Sequence, residues 1–499
     1  MRNVLHFRRS RAFLLLGFLA ASSVIVFLVV SCGGGNSALQ TSATGMIQVS
    51  ISDPPSCMPP NGQFTHVFIT VRSVQTHISA TADDSTPGWQ ELAPQLATQP
   101  MQIDLFSSPQ TNCILAQLGS ASLPVGTYQQ IRLILLSNSP ATGAAVPSSN
   151  ACASNGFNCV VLSDNSVHEL ELSSEANTGL KIPPGQIVGG PITVGAGQSV
   201  DLNIDFNACA SIIREGNGTF RLKPALTAGQ VSANNSGVSG QVIDAVTKTP
   251  ITGNVLVAIE QPDSTGVDRI MMETTADANG NFRFCPLPTG TFDIVAVAVG
   301  ANNLPYNATV ALNIPNGTNL GTIPLQPETG ATAPATLQGF VTATTGTAAA
   351  SVDVSVSALQ QVSFGSPAVM RQVTIPLESI QATGTTSAVS STGLISPTTN
   401  TTCPTGAPAN TNCAQYTLVV PASNPSVGVF SSSGFTYSTP AAAPVPFTVG
   451  ARAAVPNSGG TADCSPSEIM TTTDMNNATL VVRPATLTTV ARTDFKGCS

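Results

Sequence analysis

Apolar and polar residues alternate with a period of two through much of this chain. Residues 46–51 alternate, as do residues 64–74. Val200, Leu202, Ile204 and Phe206 alternate with Asp201, Asn203 and Asp205, which predicts a half-buried strand with its polar side chains in solvent. Phe220 and Leu222 continue as a further strand. After Val30 no stretch carries a long apolar stripe of period 3.6, so helices are not expected. Short strands separated by Gly, Pro, Asn and Ser turns predict an all-β protein of tandem β-sandwiches, immunoglobulin-like or transthyretin-like.

Polar, small-residue stretches divide the pattern. QVSANNSG at 230–237 and ETGATAPAT at 328–336 read as linkers. They leave β bodies at 46–229, 238–327 and 337–499. The last contains a Ser/Thr/Ala/Pro-rich run at 379–412, expected to be a loop. There is also an internal echo. VSGQV at 238–242 opens the second body and LQGFV at 337–341 opens the third, each followed by an apolar strand, at 254–259 and 351–356. Two related β modules in tandem are predicted.

The chain has 499 residues, enough for two to four domains. Only 9% of residues are charged, with 42 Gly and 37 Pro, which excludes a coiled coil. A net charge of −8 and the lack of a basic stripe argue against a nucleic-acid partner.

The N-terminus carries chemistry of its own. Arg2, Arg8, Arg9 and Arg11 form a basic head, and residues 12–30 follow without a charge. VVSCG at 29–33 then places a Cys directly after a small residue. This resembles the lipobox of bacterial lipoproteins. The resemblance implies a signal peptide at 1–31, acylation of Cys32, and a membrane anchor through that lipid. Residues 32–45, beginning with three glycines after Cys32, would form a flexible tether. The competing reading of the 19-residue apolar stretch is an uncleaved spanning anchor. Gly33 stands where Asp would signal inner-membrane retention, so an outer-membrane envelope location is expected. Removing residues 1–31 takes the net charge to −12.

Eleven cysteines less Cys32 leave ten, an even number in an exported chain, and so predict disulfides. Spacing suggests Cys152 with Cys159, Cys403 with Cys413, Cys464 with Cys498, and Cys57 with Cys113. Cys209 and Cys285 are then left for each other. There is no CxxC, and His66, His77 and His168 lack ligand spacing, so neither a metal nor a cofactor is expected.

Residues 46–229 resemble the domain of unknown function 4382 family of bacterial envelope lipoproteins. The segments that match are GMIQVSISDP at 45–54, residues 67–77, QIDL at 102–105, LPVGTYQQIRL at 123–133, residues 200–206 and LKP at 222–224. No activity comes with this resemblance. Residues 238–327 resemble the carboxypeptidase regulatory-like domain, through GQVID at 240–244, TPI at 249–251, TADANGNF at 275–282 and LPTGTF at 287–292. That resemblance implies a small transthyretin-like sandwich of non-catalytic role.

Tests for chemistry give little. Residues 201–205 and 277–281 each suggest a calcium loop, but Phe206 and Phe282 stand where the sixth-position Gly belongs. Residues 277–281 read instead as a turn with Gly280 at positive φ. His168-Glu169 lacks the second His of a zinc protease. There is no GxSxG elbow and no P-loop. His66 and His77 stand on opposite strand parities, so they face apart. Glu169, Glu171 and Glu175 near His168 read as a solvated edge. Sugar platforms would have to come from Trp89, Tyr128, Tyr306, Tyr416 or Tyr437, with Trp89 at a strand start. The resulting expectation is a lipid-anchored envelope protein, not an enzyme, with a structural, adhesive or binding role. Its partner would be an envelope polysaccharide or protein. Glycan or peptide capture is the alternative, and an unrecognised enzyme comes after that.

Overall fold

The structure is a computed structural model. It describes residues 43–53, 64–107, 113–172, 178–182, 184–214, 218–222, 226–231, 237–328, 330–346, 352–377, 388–389, 392–395, 403–407, 409, 411–432, 434–439, 445–457 and 460–498. The signal segment, Cys32 and most of the tether lie outside these residues, as does Cys57. The described chain is β throughout, apart from one helical turn at Ala208–Ser211 and three short 3-10 turns.

The first module is two large sheets around one core, with a two-stranded sheet of Gly126–Tyr128 and Ile192–Val194 beside them. The five-stranded sheet runs Ile187–Val188, Leu226–Gln230, Ser199–Phe206, Thr44–Ser52, Ala116–Pro124. Its centre is a parallel pair, with Met46 opposite Ser199 and Ser52 opposite Asp205. The second sheet is built on the long strand Phe64–His77. Ile47, Val49 and Ile51 meet Val67, Ile69 and Val71 between the sheets, all fully buried. Period-two alternation on both sheets produces this core. Strand Thr44–Ser52 also takes in the last two positions assigned to the tether.

The second and third modules share a sheet. Val238–Asp244, Asn281–Phe284 and Asn319–Leu325 form a small sheet of their own. The other strands of the second module, Gly253–Pro262, Val267–Thr275, Thr291–Gly300 and Thr309–Pro315, belong to a ten-stranded sheet. Third-module strands complete it on both sides. Val369–Ile375 adds in parallel beside Val267–Thr275, and Ser426–Val429 in parallel beside Thr309–Pro315. Val352–Phe364, Thr448–Asn457 and Gly460–Thr471 extend it further.

The strands common to both modules are covered on both faces. Val257, Ile259, Ile294, Ala296 and Ala311 point into the second module's core. Leu256, Val295, Val297, Val310 and Leu312 point into the third's. This is why residues 255–259 and 294–298 contain no polar position: with no solvent face, alternation gives way to a continuous apolar run. The echo between modules has a structural counterpart. Each opening strand, Val238–Asp244 and Ala335–Thr344, lies in a separate smaller sheet, and each next long strand, Gly253–Pro262 and Val352–Phe364, lies in the shared one.

Two expectations are corrected here. The stretch at 328–336 does not separate independent bodies, because hydrogen-bonded strands cross that border on two sides. The run at 379–412 is not one loop. Within it Ala388–Val389 pairs with Thr411–Val420 and Thr392–Ile395 pairs with Val352–Phe364. The rest of residues 378–402 lies outside the described residues.

Candidate functional site

The most unusual polar grouping lies at the end of the central parallel pair of the first module. The expectation of a solvated face on strand Ser199–Phe206 fails: Asp201 is exposed, but Asn203 and Asp205 are buried. They meet Ser50 and Ser52 across the pair, buried as well. Ser50 Oγ donates to Asn203 Oδ1 at 3.0 Å, and Asn203 Nδ2 donates to Ser52 Oγ at 2.7 Å. Ser52 Oγ donates in turn to Asp205 Oδ1 at 3.0 Å. Asp53 follows directly, and its Oδ2 accepts from the Ala208 amide at 3.3 Å while its Oδ1 has no hydrogen-bond partner. Sequence reading missed this group. Its trace is the small polar Ser at alternate positions of Thr44–Ser52, opposite Asn and Asp on a second strand.

No cation faces these two acids among the described contacts. Burial pushes the Asp205 carboxyl up to about 7 despite the Ser52 bond. Burial, then the Asp205 charge, raises Asp53 well above the ordinary range. Both therefore hold protons in the folded chain where an unfolded chain has lost them. The Asp205 contribution to stability is full below about pH 4 and declines as pH rises towards about 7, and Asp53 contributes with the same sign. Asp205→Asn should reduce that slope, leaving the part due to Asp53. The wild type should lose on the order of 2–4 kcal/mol of first-module stability between pH 4 and 7 through Asp205, and the variant clearly less. Urea unfolding at several pH values checks this; parallel slopes in the two proteins would refute it.

The other sequence-predicted residues do not converge on this group. His66 Nδ1 donates to Asp104 Oδ2 at 2.7 Å, at a half-exposed position. His77 is buried: its Nδ1 accepts from the Ser79 amide at 2.9 Å and its Nε2 faces the Pro87 carbonyl at 3.1 Å. His168 Nε2 lies 2.9 Å from Ser166 Oγ. Glu169 accepts from Asn138, Glu171 is exposed, and Glu175 lies outside the described residues.

The aromatic residues are engaged internally. Trp89 stands one residue before the short strand Gln90–Glu91. Its Nε1 donates to the Asp83 carbonyl at 2.9 Å, and the Arg132 guanidinium lies 4.0 Å from its ring centre. One face of Trp89 is thus already occupied by a cation. Tyr128 and Tyr306 are buried and donate to the Pro124 carbonyl and to Asp244. Tyr416 is fully buried, and Tyr437 stacks on Phe435.

Asp277 serves its turn. Its Oδ1 accepts from the amides of Asn279 and Asn281, each at 2.8 Å, and Gly280 has φ of 78°. Asp83, Asp164, Asp263 and Asp474 cap turns in the same way. Among the described residues, no group of three His, Cys, Asp or Glu is placed to hold a metal ion. No described helix is long and apolar enough to cross a membrane.

Disulfides join Cys152 to Cys159, Cys403 to Cys413 and Cys464 to Cys498. The fourth corrects two expected pairs. Cys113 bonds Cys285, with their Cα atoms 5.3 Å apart, so neither Cys57–Cys113 nor Cys209–Cys285 forms. The reason is tertiary. The first and second modules pack closely, Val188 joining the second core, and this brings together two residues 172 apart in sequence. The side chains of Cys57 and Cys209 lie outside the described residues.

Residues 44–224 match the family model of a domain of unknown function, DUF4382. The DUF4382 region thus takes in both strands of the buried polar group, and ends shortly before the first module does. No curated protein matches the chain. Several solved structures align with it at low identity. A double mutant of the shaft pilin SpaA from Lactobacillus rhamnosus GG aligns at 12% identity and a TM-score of 0.17, over 57% of this chain and 98% of that one. The Bacillus anthracis TIE protein aligns at 9% and 0.15, over 91% of this chain. The chain spans about half the length of that protein, 50%. A putative adhesin from Bacteroides ovatus aligns at 11% and 0.13, over 47% and 82%. At such scores the likeness says nothing of function.

Proposed function

We propose that this is a lipid-anchored bacterial cell-envelope protein with a non-catalytic structural, adhesive or binding role. The lipobox at 29–33 supports attachment through Cys32, and Gly33 supports the outer membrane. The observation that carries the mechanical part is the shared sheet. Strands of the third module pair with the second at Val267–Gln372 and Thr309–Ser426, and Cys113–Cys285 ties the DUF4382 region to the same body. Three cores joined in this way suit a body that holds a surface in place outside the cell. Residues 238–327 act in this reading as a carboxypeptidase regulatory-like module. The partner would be an envelope polysaccharide or another envelope protein.

The test is made in cells. An alkyne fatty acid should label the wild type and not Cys32→Ser. Protease added to intact cells should digest the body if it faces outward and spare it if it faces the periplasm, which separates an adhesive role from a scaffolding one. Label retained by Cys32→Ser, or absent from both, would refute the lipid anchor and favour a spanning segment.

A further inference from the structure

The seam between the second and third modules contains acids that the proposed role leaves unexplained. Glu260, Asp268 and Asp293 sit on three adjacent strands of the shared sheet, Gly253–Pro262, Val267–Thr275 and Thr291–Gly300. Glu260 is directly opposite Asp293 across the strand pair. Asp268 is opposite Val373, inside the two-residue register by which Val369–Ile375 joins the second module. Their exposures are 0%, 0% and 2%. One cation from the third module reaches them. Arg371 Nη1 donates to Asp293, and Arg371 Nε lies 3.9 Å from Asp268 Oδ2.

The three acids differ in the hydrogen bonds they accept. Asp293 accepts from Arg371 and, through Oδ1, from the Asn313 amide at 2.7 Å. Glu260 accepts only from the Thr374 amide, at 3.2 Å, and its Oε1 has no partner. Neither oxygen of Asp268 accepts a hydrogen bond, and its neighbours are the Asp293 carboxyl and, at 3.9 Å, Arg371 Nε. Three buried carboxylates against one guanidinium would leave two uncompensated charges in a dry seam, at a cost of several kcal/mol each. With Asp293 ionised against Arg371, and Glu260 and Asp268 protonated, the group is neutral.

We propose that this seam is a proton-operated latch, closed while Glu260 and Asp268 carry their protons and loosened as the medium turns alkaline. Burial raises both groups, in line with the hydrogen-bond reading. The surroundings do not rescue the charged form. Glu273, partly buried on the same strand as Asp268, is itself raised by burial. Asp263 and Glu468 are committed to Arg269, and Glu468 also to Arg452. Arg371 is left as the one cation facing the group among the described contacts. Loss of a proton then places a bare carboxylate where two modules join through a short register. The second junction, Thr309–Leu312 with Ser426–Val429, pairs no acid. It serves as an internal control.

The experiment is hydrogen exchange by mass spectrometry on residues 33–499, which hold all three modules, between pH 5.5 and 8.5, corrected for intrinsic exchange. In the wild type, the opening constant of peptides covering 267–275 and 369–375 should rise up to about tenfold per pH unit over the upper part of that range. Peptides covering 309–315 and 426–429 should not follow. Asp268→Asn should match the wild type at pH 5.5 and rise less steeply towards pH 8.5, because Glu260 alone is left to titrate. If Asp268→Asn loses protection everywhere at pH 5.5, Glu260→Gln is read in its place, with the same shallower rise expected. A pH-independent seam in the wild type overturns the proposal, as does a variant that keeps the wild-type slope. Recovery of seam protection at pH 8.5 by calcium chloride, reversed by a chelator, also overturns it, because the charge would then be balanced by a metal ion.

Discussion

A chain ending at Glu328 is expected to be insoluble or molten, although the sequence pattern places the end of a module at residue 327, just before it. In the full protein Leu256, Val295, Val297, Val310 and Leu312 are buried against the third module. Truncation turns this face of the sheet into an open apolar patch. At about 1.5–3 kcal/mol per buried aliphatic side chain, the lost burial is on the order of 10 kcal/mol, comparable to the whole stability of a domain. The truncation also removes both flanking strands, Val369–Ile375 and Ser426–Val429, and leaves exposed edges that favour aggregation. The fragment 33–328 should therefore pellet, or bind a hydrophobic dye strongly while keeping its β circular dichroism. A soluble, cooperatively melting product would show that the second module is self-sufficient, and the shared sheet would then be a contact and not a common core.

The second large effect is expected from the disulfide between modules. Replacing Cys113 and Cys285 together by Ser opens a loop of 172 residues, the longest among the four described bridges. Chain entropy assigns such a crosslink about 2–5 kcal/mol. The three short-range bridges close loops of 7, 10 and 34 residues and should each matter less. The form of the transition should also change. With the bridge intact, the DUF4382 region and the shared-sheet body should unfold in urea together. Without it the curve should separate into two steps, the first-module step at lower urea. An unchanged single transition in the double variant would mean that packing around Val188 already couples the modules fully.

These expectations rest on features that differ in how far they can be read from the sequence. Local chemistry is legible. Alternation at 46–51 and 64–74 marks strands because the period is a property of the extended backbone. The turn at 277–281 is legible because an Asp side chain and a Gly at positive φ close it without outside help. Cys152–Cys159 and Cys403–Cys413 follow from nearness along the chain, which keeps two thiols close in any conformation.

What the sequence by itself determined, then, is the β class and the rough positions of strands and turns. Tertiary structure alone decided which second face is dry. Asp201 and Asp205 belong to one alternating pattern, yet the first is exposed and the second buried; Asp205 has paired neighbours on both sides, Ser52 and Thr227, whereas the ladder with Leu226–Gln230 stops short of Asp201. It likewise decided that residues 253–315 contribute to two cores, that Cys113 reaches Cys285 and not Cys57, and that Glu260, Asp268 and Asp293 are buried at one seam where Arg371 reaches the last two. The physical reason is the same in each case. Periodicity and spacing act over a few residues, whereas burial depends on what packs from a hundred or more residues away.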